Sequence, residues 1–385
     1  MNFEFTEEQQ MVRDAARKFA EAELMPHTKE LDNTREFPWD AVRQMGELGF
    51  LGAPVPEEYG GSGMDAISYL LIGIEIARAC ASTATILGAH CSLAIMPILE
   101  FGTEEQKKKY LPKLCSGEWI GAFSLTEPNA GSDASNLETV AKREGDEFII
   151  TGMKQWCTNG AEASVIILFA NTNPEAGLRG ITPFIIEKGM EGFTVGHIED
   201  TMGIRGSHQT ELHFENCRVH KDQILGGEGS IGKGFMYAMK TLDGGRIGMA
   251  GASIGIAQAA LEHAVKYSHQ RVQFGHEIAQ FQAIQWMIAD MATEIEAARH
   301  LSYYAAWLKS KGKKCTAEAA MAKMFASEVA GRVTDMALQI HGGYGYSREY
   351  PMERLVRDAR IKRIYEGTNE IQRLVISREI LKRYH

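Results

Sequence analysis

The segment TELHFENCRV, residues 210–219, carries the pattern that decides the fold class. Its apolar Leu212 and Phe214 alternate with charged and polar neighbours, the period-two pattern of a strand with one buried face. Similar runs occur nearby, in EFIITG (147–152), SVIILFANT (164–172), ITPFIIEKG (181–189) and FTVGHIED (193–200). The turn REGDEF between two such runs suits a hairpin. Because no helical pattern separates the runs, a parallel βαβ sheet is disfavoured and an antiparallel β domain is expected.

Helical patterns flank this β region on both sides. Near the N-terminus, Thr6 and Gln9 have the spacing of a capping box, and Thr103 and Gln106 repeat it. From Phe235 onward an apolar helical period returns and continues to the end of the chain. The order helices, strands, helices predicts an α+β protein with an all-α domain over 1–120, a β domain over 121–230 and a helical domain over 231–385.

Composition limits the class of protein. The 385 residues are 44% hydrophobic and 24% charged, as in soluble globular proteins. The formal net charge of −9 argues against a broad nucleic-acid-binding face. The six cysteines show no CxxC and no zinc-type spacing, so we expect reduced thiols and no metal site.

The first residues carry no recognisable targeting pattern, since MNFEFTEEQQ is acidic and lacks the apolar core of a signal peptide. The most apolar region, 67–99, is interrupted by Glu75, Arg78, His90 and Pro97. It therefore predicts buried helices and no membrane span. A cytoplasmic location is expected.

The loop GGEGSIGKG (226–234) approaches the spacing of a phosphate-binding P-loop. Gly234 stands where that motif needs a Ser or Thr for magnesium, and no βαβ context leads into it. A nucleoside triphosphatase is therefore disfavoured. We interpret the segment as a flexible loop that ends the β domain.

Two segments in the β region could hold a planar, polar ligand. GAFSLTEPNAGSDAS (121–135) places several hydroxyl groups beside Phe123 and Leu125, although an ordinary polar turn explains them equally. KQWCTNG places Trp156 near Thr158. An aromatic face with a hydroxyl suits a flavin, whereas a tryptophan inside a β core is the commoner explanation.

The segment FMYAMKTLDGGRIGMA combines an apolar helical stripe with charged residues. Phe235, Met239, Leu242 and Arg246 share one helix face by their spacing. Such a stripe is usually core. One that ends in Asp243, two glycines and Arg246 also suits a channel for a chain with a polar head.

Three further segments have both a structural and a chemical interpretation. Gly342 and Gly343 in QIHGGYGYSREYP either end a helix or let backbone amides approach a phosphate. YSHQRVQFGHEIAQFQ contains four residues that alone would indicate an exposed helix end: Arg271, Gln273, Phe274 and Gln282. In RIYEGTNEIQR, Glu366 is either a solvated surface acid or a base held over a substrate.

Taken in order along the whole chain, these segments resemble the acyl-CoA dehydrogenase family, most closely its short-chain, butyryl-CoA type. The resemblance rests on FTEEQ, YGGSGMD, FGTEEQKKKYLP, FSLTEPNAGSDAS, WCTNG, MGIRGS, LDGGRIG, QRVQFG, QIHGGYGYSREYP and RIYEGTNEIQ. It implies an N-terminal helical domain, a β-barrel-like middle domain and a C-terminal four-helix bundle. It also implies FAD as cofactor, an acyl-CoA substrate, a homotetramer built as a dimer of dimers, and electron transfer to an electron-transfer flavoprotein.

The resemblance also assigns site residues, some of the FAD contacts coming from a neighbouring subunit. For FAD it implies contacts from Phe123, Leu125, Thr126, Ser132, Trp156, Thr158, Arg271, Gln273, Phe274, Gln282, Gln339, Gly342, Gly343, Thr368 and Glu370. For the acyl-CoA it implies contacts from Ser132, Phe235, Met239, Leu242, Asp243, Arg246, Tyr365 and Gly367.

By the same resemblance, Glu366 is the base that removes the α-proton while the β-hydride passes to flavin N5. A thioester α-proton is weakly acidic, so its removal needs a base in close reach. Isovaleryl- and long-chain family members carry their base on the helix that holds LDGGR, where this chain has Gly245. Burial raises a carboxylate pKa and a helix N-terminus lowers it, and the sequence leaves open which effect is larger at Glu366.

The expected substrate depends on the pocket segment STATILGAHCSLAIMP (82–97). It has no Lys or Arg to bind a dicarboxylate such as glutaryl-CoA, and no acid near Cys91 for the aspartate-based members that form cyclic dienes. We expect straight short acyl chains, with branched short chains as the next alternative. An acrylyl-type enoyl-CoA reductase and an inactive helical scaffold stay open. An oxidase is disfavoured, because oxidases usually carry an additional C-terminal helical domain.

Overall fold

A computed structural model describes residues 4–384, which begin with a set of helices. The N-terminal α-helices are α1 (Glu7–Phe19), α2 (Thr28–Thr34), α3 (Trp39–Glu47), α4 (Ala66–Ala79), α5 (Ala81–Gly88), α6 (Met96–Phe101) and α7 (Glu104–Cys115). π-Helical turns follow α1 and α5, over Ala20–Leu24 and Ala89–Ile95. Both predicted capping boxes form: Thr6 and Gln9 exchange hydrogen bonds at the start of α1, and Thr103 and Gln106 do so at α7.

The middle of the chain forms a sheet of seven strands. They are β1 (Gly121–Ser124), β2 (Val140–Glu144), β3 (Glu147–Thr158), β4 (Val165–Asn171), β5 (Ile181–Glu187), β6 (Phe193–Ile198) and β7 (Gln209–His220). Their order is β1-β4-β2-β3-β7-β6, with β5 paired to β4. The hairpin predicted at REGDEF is confirmed, since β2 and β3 are antiparallel around Gly145 and Asp146. Gly145 has a φ of 66°, as this tight turn requires.

Most neighbouring strands are antiparallel as expected, but β1 runs parallel to β4. β2 also meets β4 in parallel, at the single pair Val140 and Asn171. The expectation of an antiparallel sheet is wrong for these two pairs. The expectation assumed that parallel strands need a helix between them. Here the long loop 125–139 returns the chain across the sheet in place of a crossover helix.

Helices return after the sheet. They are α8 (Gly234–Gln270), α9 (Gln282–Ser310), α10 (Thr316–His341), α11 (Met352–Arg360) and α12 (Asn369–Arg383). The small strands β8 (Val272–Gln273) and β9 (His276–Glu277) pair between α8 and α9. Helix α10 packs against α8, α9 and α12, which gives the predicted four-helix bundle. The division at residues 120 and 230 stays a prediction, because one buried cluster joins side chains from all three parts.

Strand β4 is buried on both faces, which explains its unbroken apolar run. Val165, Ile167 and Phe169 belong to the cluster shared with α6, α7 and the start of α8. Ile166 and Leu168 belong to the cluster between the sheet's own strands on the opposite face. The sheet therefore packs through one face against helices that precede and follow it in the chain.

Helices α4 and α8 cross at glycines of α8. A β-carbon at Gly251 would lie 2.6 Å from Cδ1 of Leu70. One at Gly255 would overlap the carbonyl oxygen of Ile74 and lie 2.7 Å from Cβ of Ala77. Only glycine permits this approach, so these two positions set the distance between the N-terminal helices and the C-terminal bundle.

The run Ala81–Phe101, made of α5, a π turn and α6, is long and apolar enough to cross a membrane by length and composition. Its most apolar window is 72% buried inside the protein, where Ile86, Leu87 and Ile98 join the core clusters. The run is a core helix, in agreement with the expectation from the sequence. All six cysteines are buried and none forms a disulfide.

Replacing Gly255 by Ala should lower the free energy of unfolding by about 1–3 kcal/mol, because the added methyl group overfills the crossing of α4 and α8. Gly73 in α4 is the matched control, since open space surrounds the position of its β-carbon. G73A should keep the stability or raise it by up to about 1 kcal/mol through helix propensity. Urea unfolding measures both variants. Equal stability of G255A and G73A would contradict the close crossing.

Candidate active site

Glu366 lies on a tight turn between the 3₁₀ turn Ile361–Arg363 and helix α12. Its φ is 53° and that of Gly367 is 90°. The left-handed conformation is uncommon for a glutamate, and such strain is usually retained at functional sites. Thr368 then caps α12, its hydroxyl accepting a hydrogen bond from the N–H of Ile371. Backbone geometry therefore fixes Glu366 immediately before a helix begins.

The carboxylate of Glu366 lies against α8 at Gly245. A β-carbon at position 245 would overlap Oε2 of Glu366 and lie 3.0 Å from Cδ2 of Leu93. Positions 245 and 366 share one space, and only one of them can carry a side chain there. Within residues 4–384, Oε2 is shielded from solvent and has no hydrogen-bond partner.

Burial raises the pKa of Glu366 to about 7. The cations Lys323, Arg246 and Lys362 act in the opposite direction and do not offset the loss of solvation. Desolvation therefore has a larger effect on the pKa of this carboxyl group than the three neighbouring cations. A carboxyl group with a pKa near 7 is suited to accept a proton at neutral pH.

The two carbonyl groups of the turn are held by side chains. Nε2 of Gln372 donates to the carbonyl oxygens of Glu366 at 3.2 Å and Gly367 at 2.9 Å. Nζ of Lys323 donates to the Gly367 carbonyl at 2.8 Å. The backbone N–H of Glu366 has no acceptor in the part of the chain that the structure describes. The turn therefore offers a base and an unused donor next to each other.

The predicted stripe on α8 divides between core and site. Phe235, Met239 and Leu242 are half-buried and pack against the cluster that joins α7 to the sheet. Arg246, one turn further on, is buried, and its Nη1 donates to Oδ1 of Asp243 at 2.6 Å. The structure places Arg246 within electrostatic reach of Glu366, whereas the three apolar residues lie nearer the start of the helix.

Asp243 and Tyr365 are both occupied by neighbouring side chains. Asp243 accepts a second hydrogen bond, from the hydroxyl of Thr316 at 2.6 Å. Tyr365 packs between two core clusters, and its hydroxyl accepts from Nζ of Lys362. Burial raises the pKa of Tyr365 above its usual range, so its hydroxyl stays protonated. Both residues support the site and stay predicted substrate contacts.

Tyr69 of α4 also borders this space, although the sequence did not identify it. Its hydroxyl lies 3.1 Å from Oγ of Ser92 in the pocket segment 82–97. A β-carbon at Gly248, one turn from Gly245, would lie 3.6 Å from Ser92 Oγ and 4.0 Å from Cε1 of Tyr69. No sequence pattern relates positions 69, 92 and 248, because the contact forms only when three helices meet.

Hydrogen bonds from β3 fix the segment that is expected to cover a flavin. Phe123 and Thr126 are half-buried and Leu125 is buried. Nζ of the buried Lys154 donates to the Leu125 carbonyl at 3.2 Å, and the N–H of Gln155 donates to the Thr126 carbonyl at 2.9 Å. Ser132, later in the same segment, is exposed in a loop, and its predicted contact to both ligands stays a prediction.

Trp156 is not a core residue. It lies at a register shift of β3 against β7, with a φ of 59°, and is 54% exposed. A bulge of this kind turns a side chain out of the plane it would otherwise occupy. Thr158 stays within the sheet and donates to Oε1 of Gln209 at 2.7 Å. The arrangement presents an aromatic face to the outside, as the flavin interpretation requires.

A cavity of 590 Å³ lies where the end of α8, the β8–β9 pair and the end of α10 meet. The predicted residues Arg271, Gln273, Gly342 and Gly343 line it, together with Tyr344, which the sequence did not single out. Arg271 lies 5.6 Å from the ring centre of Tyr344 and pairs with no carboxylate among residues 4–384. β-Carbons at both glycines would meet nothing within 4 Å. An unpaired guanidinium beside an open backbone suits a phosphate group.

Other predicted cofactor residues do not line this cavity. Phe274 is 92% exposed, and Gln282, Gln339 and Glu370 are exposed as well. The residues near Glu366 are absent from the cavity lining too. The predicted FAD residues therefore fall into separate groups on this chain, and their contacts to FAD stay predictions.

Three family models match consecutive parts of the chain. The N-terminal domain of acyl-CoA dehydrogenase matches residues 6–118, the middle domain 122–217 and the C-terminal domain 232–381. The chain belongs to the acyl-CoA dehydrogenase family. The predicted family, fold class and enzyme class are confirmed, and acyl-CoA dehydrogenases are flavin-dependent oxidoreductases.

Two curated relatives match this member of the acyl-CoA dehydrogenase family over nearly the whole chain. The short-chain specific acyl-CoA dehydrogenase of Clostridium acetobutylicum is 49% identical over 382 residues, which are 99% of this chain and 100% of the relative. The acryloyl-CoA reductase (NADH) of Anaerotignum propionicum is 48% identical over 385 residues, which are 100% of this chain and 97% of the relative. Relatives with similar identity therefore differ in the named reaction.

Solved structures share the same fold. Butyryl-CoA dehydrogenase from Megasphaera elsdenii has 48% identity and a TM-score of 0.97, with 99% of this chain and 100% of that chain covered. A chain in the solved structure of the electron transferring flavoprotein of Acidaminococcus fermentans has 51% identity and a TM-score of 0.97, with the same coverage. The similarity to the short-chain type is thus confirmed in both sequence and structure.

Replacing Glu366 by Gln should stabilise the protein at pH 8. The native state keeps a proton on Glu366 up to about pH 7, whereas the unfolded chain releases it near 4.5, so native stability falls as pH rises through this window. E366Q removes a penalty of about 3 kcal/mol that is fully present by about pH 8. Thermal unfolding at pH 8 and again below pH 4.5 should show the difference shrinking as pH falls.

The exposed Glu370 provides a control of opposite sign. Backbone N–H groups at the start of α12 and the Thr368 hydroxyl lower its pKa, so E370Q should reduce stability slightly at pH 8. An E366Q variant no more stable than E370Q at pH 8 would show that Glu366 is ordinarily solvated.

Proposed function

We propose that this acyl-CoA dehydrogenase oxidises short, straight acyl-CoA thioesters to trans-2-enoyl-CoA, with Glu366 as the base for the α-proton. The observation that supports this most is the position of the Glu366 carboxylate over Gly245, where its Oε2 is shielded from solvent and has no hydrogen-bond partner within residues 4–384. A base of this kind needs no partner to be displaced before it accepts a proton. Its pKa of about 7 leaves about half of the molecules ready at neutral pH.

The Glu366 turn supports two parts of the reaction. The carboxylate removes the α-proton, and the unused N–H of the same residue can donate to the thioester carbonyl, where negative charge develops. Gly367 has no β-carbon, so the chain can pass close to the thioester. Bound FAD supplies the acceptor for the β-hydride. The base would take the Cα hydrogen as a proton, and the electron pair of that Cα–H bond would form the new double bond, while the Cβ hydrogen would leave with both of its electrons as the hydride.

The residues available for FAD fit its two ends. The exposed face of Trp156 and the pinned segment Phe123–Thr126 suit the flavin ring system. The free guanidinium of Arg271 beside Gly342 and Gly343 suits the pyrophosphate. Along α8, Gly245 and Arg271 are 26 residues apart, which corresponds to roughly 40 Å and exceeds the length of an extended dinucleotide. We therefore propose that each FAD is shared between subunits of a homotetramer.

A short acyl chain fits the surroundings of Glu366. Leu93 lies against Gly245, while Tyr69 and Ser92 close the space beside Gly248. No cation of segment 82–97 is available for a second carboxylate. The short-chain relative and the butyryl-CoA dehydrogenase structure support the same substrate class. Branched short chains are the next alternative.

The partner and location follow from the family resemblance. We propose that electrons pass to an electron-transfer flavoprotein in the cytoplasm, supported by the similar chain in the Acidaminococcus fermentans structure. The acryloyl-CoA reductase relative favours a second candidate, reduction of a short enoyl-CoA at the same site. The same base and cofactor serve either direction, so the electron partner decides between them. An inactive scaffold is disfavoured, because it would have no reason to retain the strained Glu366 turn.

Butyryl-CoA should bleach the flavin of the purified protein under anaerobic conditions. E366Q should remain yellow and be reduced about 10²–10⁴-fold more slowly, because it cannot accept the α-proton. Glu349→Gln, at an exposed surface glutamate, is the control and should react like the wild type. A colourless wild-type protein, or an E366Q variant with wild-type speed, would contradict the proposed function.

The shared space of Gly245 and Glu366 gives a second test by stopped-flow reduction. G245A should keep bound flavin but lose on the order of 10²-fold in reduction rate, because the methyl group displaces the carboxylate from its position. G248A is the matched control on the same helix, since its methyl group would make ordinary contacts at 3.6 Å and 4.0 Å. Similar rates for the two variants would show that the carboxylate acts from elsewhere.

A further inference from the structure

We propose that Lys323 is a positioning residue for the Glu366 base: it holds the turn that carries Glu366 and places a positive charge beside the carboxylate. The proposal rests on the proposed function, since it concerns how that base is held and ionised. Lys323 lies in the first third of α10, the helix that packs against both α8 and α12. It is therefore placed between the two elements that form the site.

The contacts of Lys323 tie the turn to α10. The side chain is completely buried, and its Nζ donates to the Gly367 carbonyl at 2.8 Å and to Oδ1 of Asn369 at 3.0 Å. Asn369 in turn donates to Oγ of Ser327 at 3.0 Å and to Oε1 of Glu328 at 2.9 Å. The Gly367 carbonyl and the Asn369 side chain are thus both hydrogen-bonded to side chains on one face of α10. Removing the lysine would leave a carbonyl oxygen in a buried position without this donor.

Gln372 secures the same turn without a charge. Its Nε2 donates to the carbonyl oxygens of Glu366 and Gly367. With both carbonyls held, the turn keeps its left-handed conformation and the N–H of Glu366 stays free of protein acceptors in the described chain. The turn therefore has two supports, of which Lys323 alone is ionic.

The charge on Lys323 has a cost that packing does not explain. Burial lowers the pKa of Lys323 to about 8, and Glu366 is the group that opposes this most strongly. A buried ammonium group is expensive to desolvate, and an apolar side chain of similar size is often at least as stabilising. Retention of the charge is explained if it favours the ionised form of the neighbouring base.

Other cations near Glu366 have closer partners. Arg246 is paired with Asp243 on α8 at 2.6 Å. Lys362 donates to Oγ1 of Thr85 at 3.2 Å and to the hydroxyl of Tyr365, and Asp358 affects its pKa more than Glu366 does.

Lys323 is itself faced by a small set of charges. Arg246 opposes its ionised form, while Glu328 and Glu370 favour it after Glu366 does. On Glu366, Lys323 has the largest electrostatic effect of any single group. Neutralising Lys323 should therefore change the ionisation of Glu366 more than neutralising any other neighbour.

The test compares K323M, K323Q and Q372M with the wild type by anaerobic reduction of the flavin with butyryl-CoA across roughly pH 6–9. The pH of half-maximal rate should rise by about 1 unit in K323M and K323Q, because the carboxylate loses its main compensating charge. In Q372M the maximal rate should fall without a shift of this pH. K323Q keeps an amide donor and provides the result if K323M does not fold. An unshifted midpoint in the lysine variants would overturn the proposal, since a purely structural role leaves it unchanged.

A second measurement needs no substrate. E366Q is introduced into the wild type and into the folded lysine variant, and thermal unfolding is followed near pH 7.5, between the pKa values of about 7 and about 8. E366Q should raise Tm more in the lysine variant than in the wild type, because there the carboxylate is uncompensated. Equal increases would overturn the proposal. If butyryl-CoA fails to reduce even the wild type, the proposed function fails, and this comparison still decides the role of Lys323.

Discussion

The site depends on keeping one carboxylate away from water and from other hydrogen-bond donors. Oε2 of Glu366 is shielded from solvent and has no hydrogen-bond donor within residues 4–384, and the pKa of Glu366 lies near 7 as a result. This state is costly, so the surrounding structure must hold it in place. Backbone strain at Glu366, the absence of a side chain at Gly245 and the carbonyl bonds from Lys323 and Gln372 all act on the same short turn.

Helix α8 links this turn to the rest of the molecule. Its glycines at 251 and 255 bring the N-terminal helices close, and this places Leu93 of the pocket segment beside Gly245 and Tyr69 beside Gly248. Its apolar N-terminal part packs against the sheet that presents Trp156. Its far end delivers Arg271 to a separate cavity. One helix thus carries residues of two separate regions of the chain.

Local patterns predicted the local structure well. The capping boxes at Thr6 and Thr103, the REGDEF hairpin and the alternation around Leu212 need only neighbouring residues, and all formed as expected. Parallel pairing of β1 with β4 was not predicted, because β2, β3 and the loop 125–139 separate the two strands in the sequence. The burial of Lys323 was not predicted for a different reason. A lysine is normally a surface residue, and only its isolation among apolar neighbours in AMAKMFA hinted at burial. The ionisation of Glu366 depends on desolvation, which no sequence pattern expresses.

The most direct test of this account is infrared difference spectroscopy of the wild type minus E366Q, recorded as a function of pH. The account predicts the carbonyl band of a protonated carboxyl group at pH values below 7, which is replaced by carboxylate bands with a midpoint of about 7. Only carboxylate bands from Glu366 between pH 5 and pH 7 would contradict this account, because the base would then be an ordinary solvated acid.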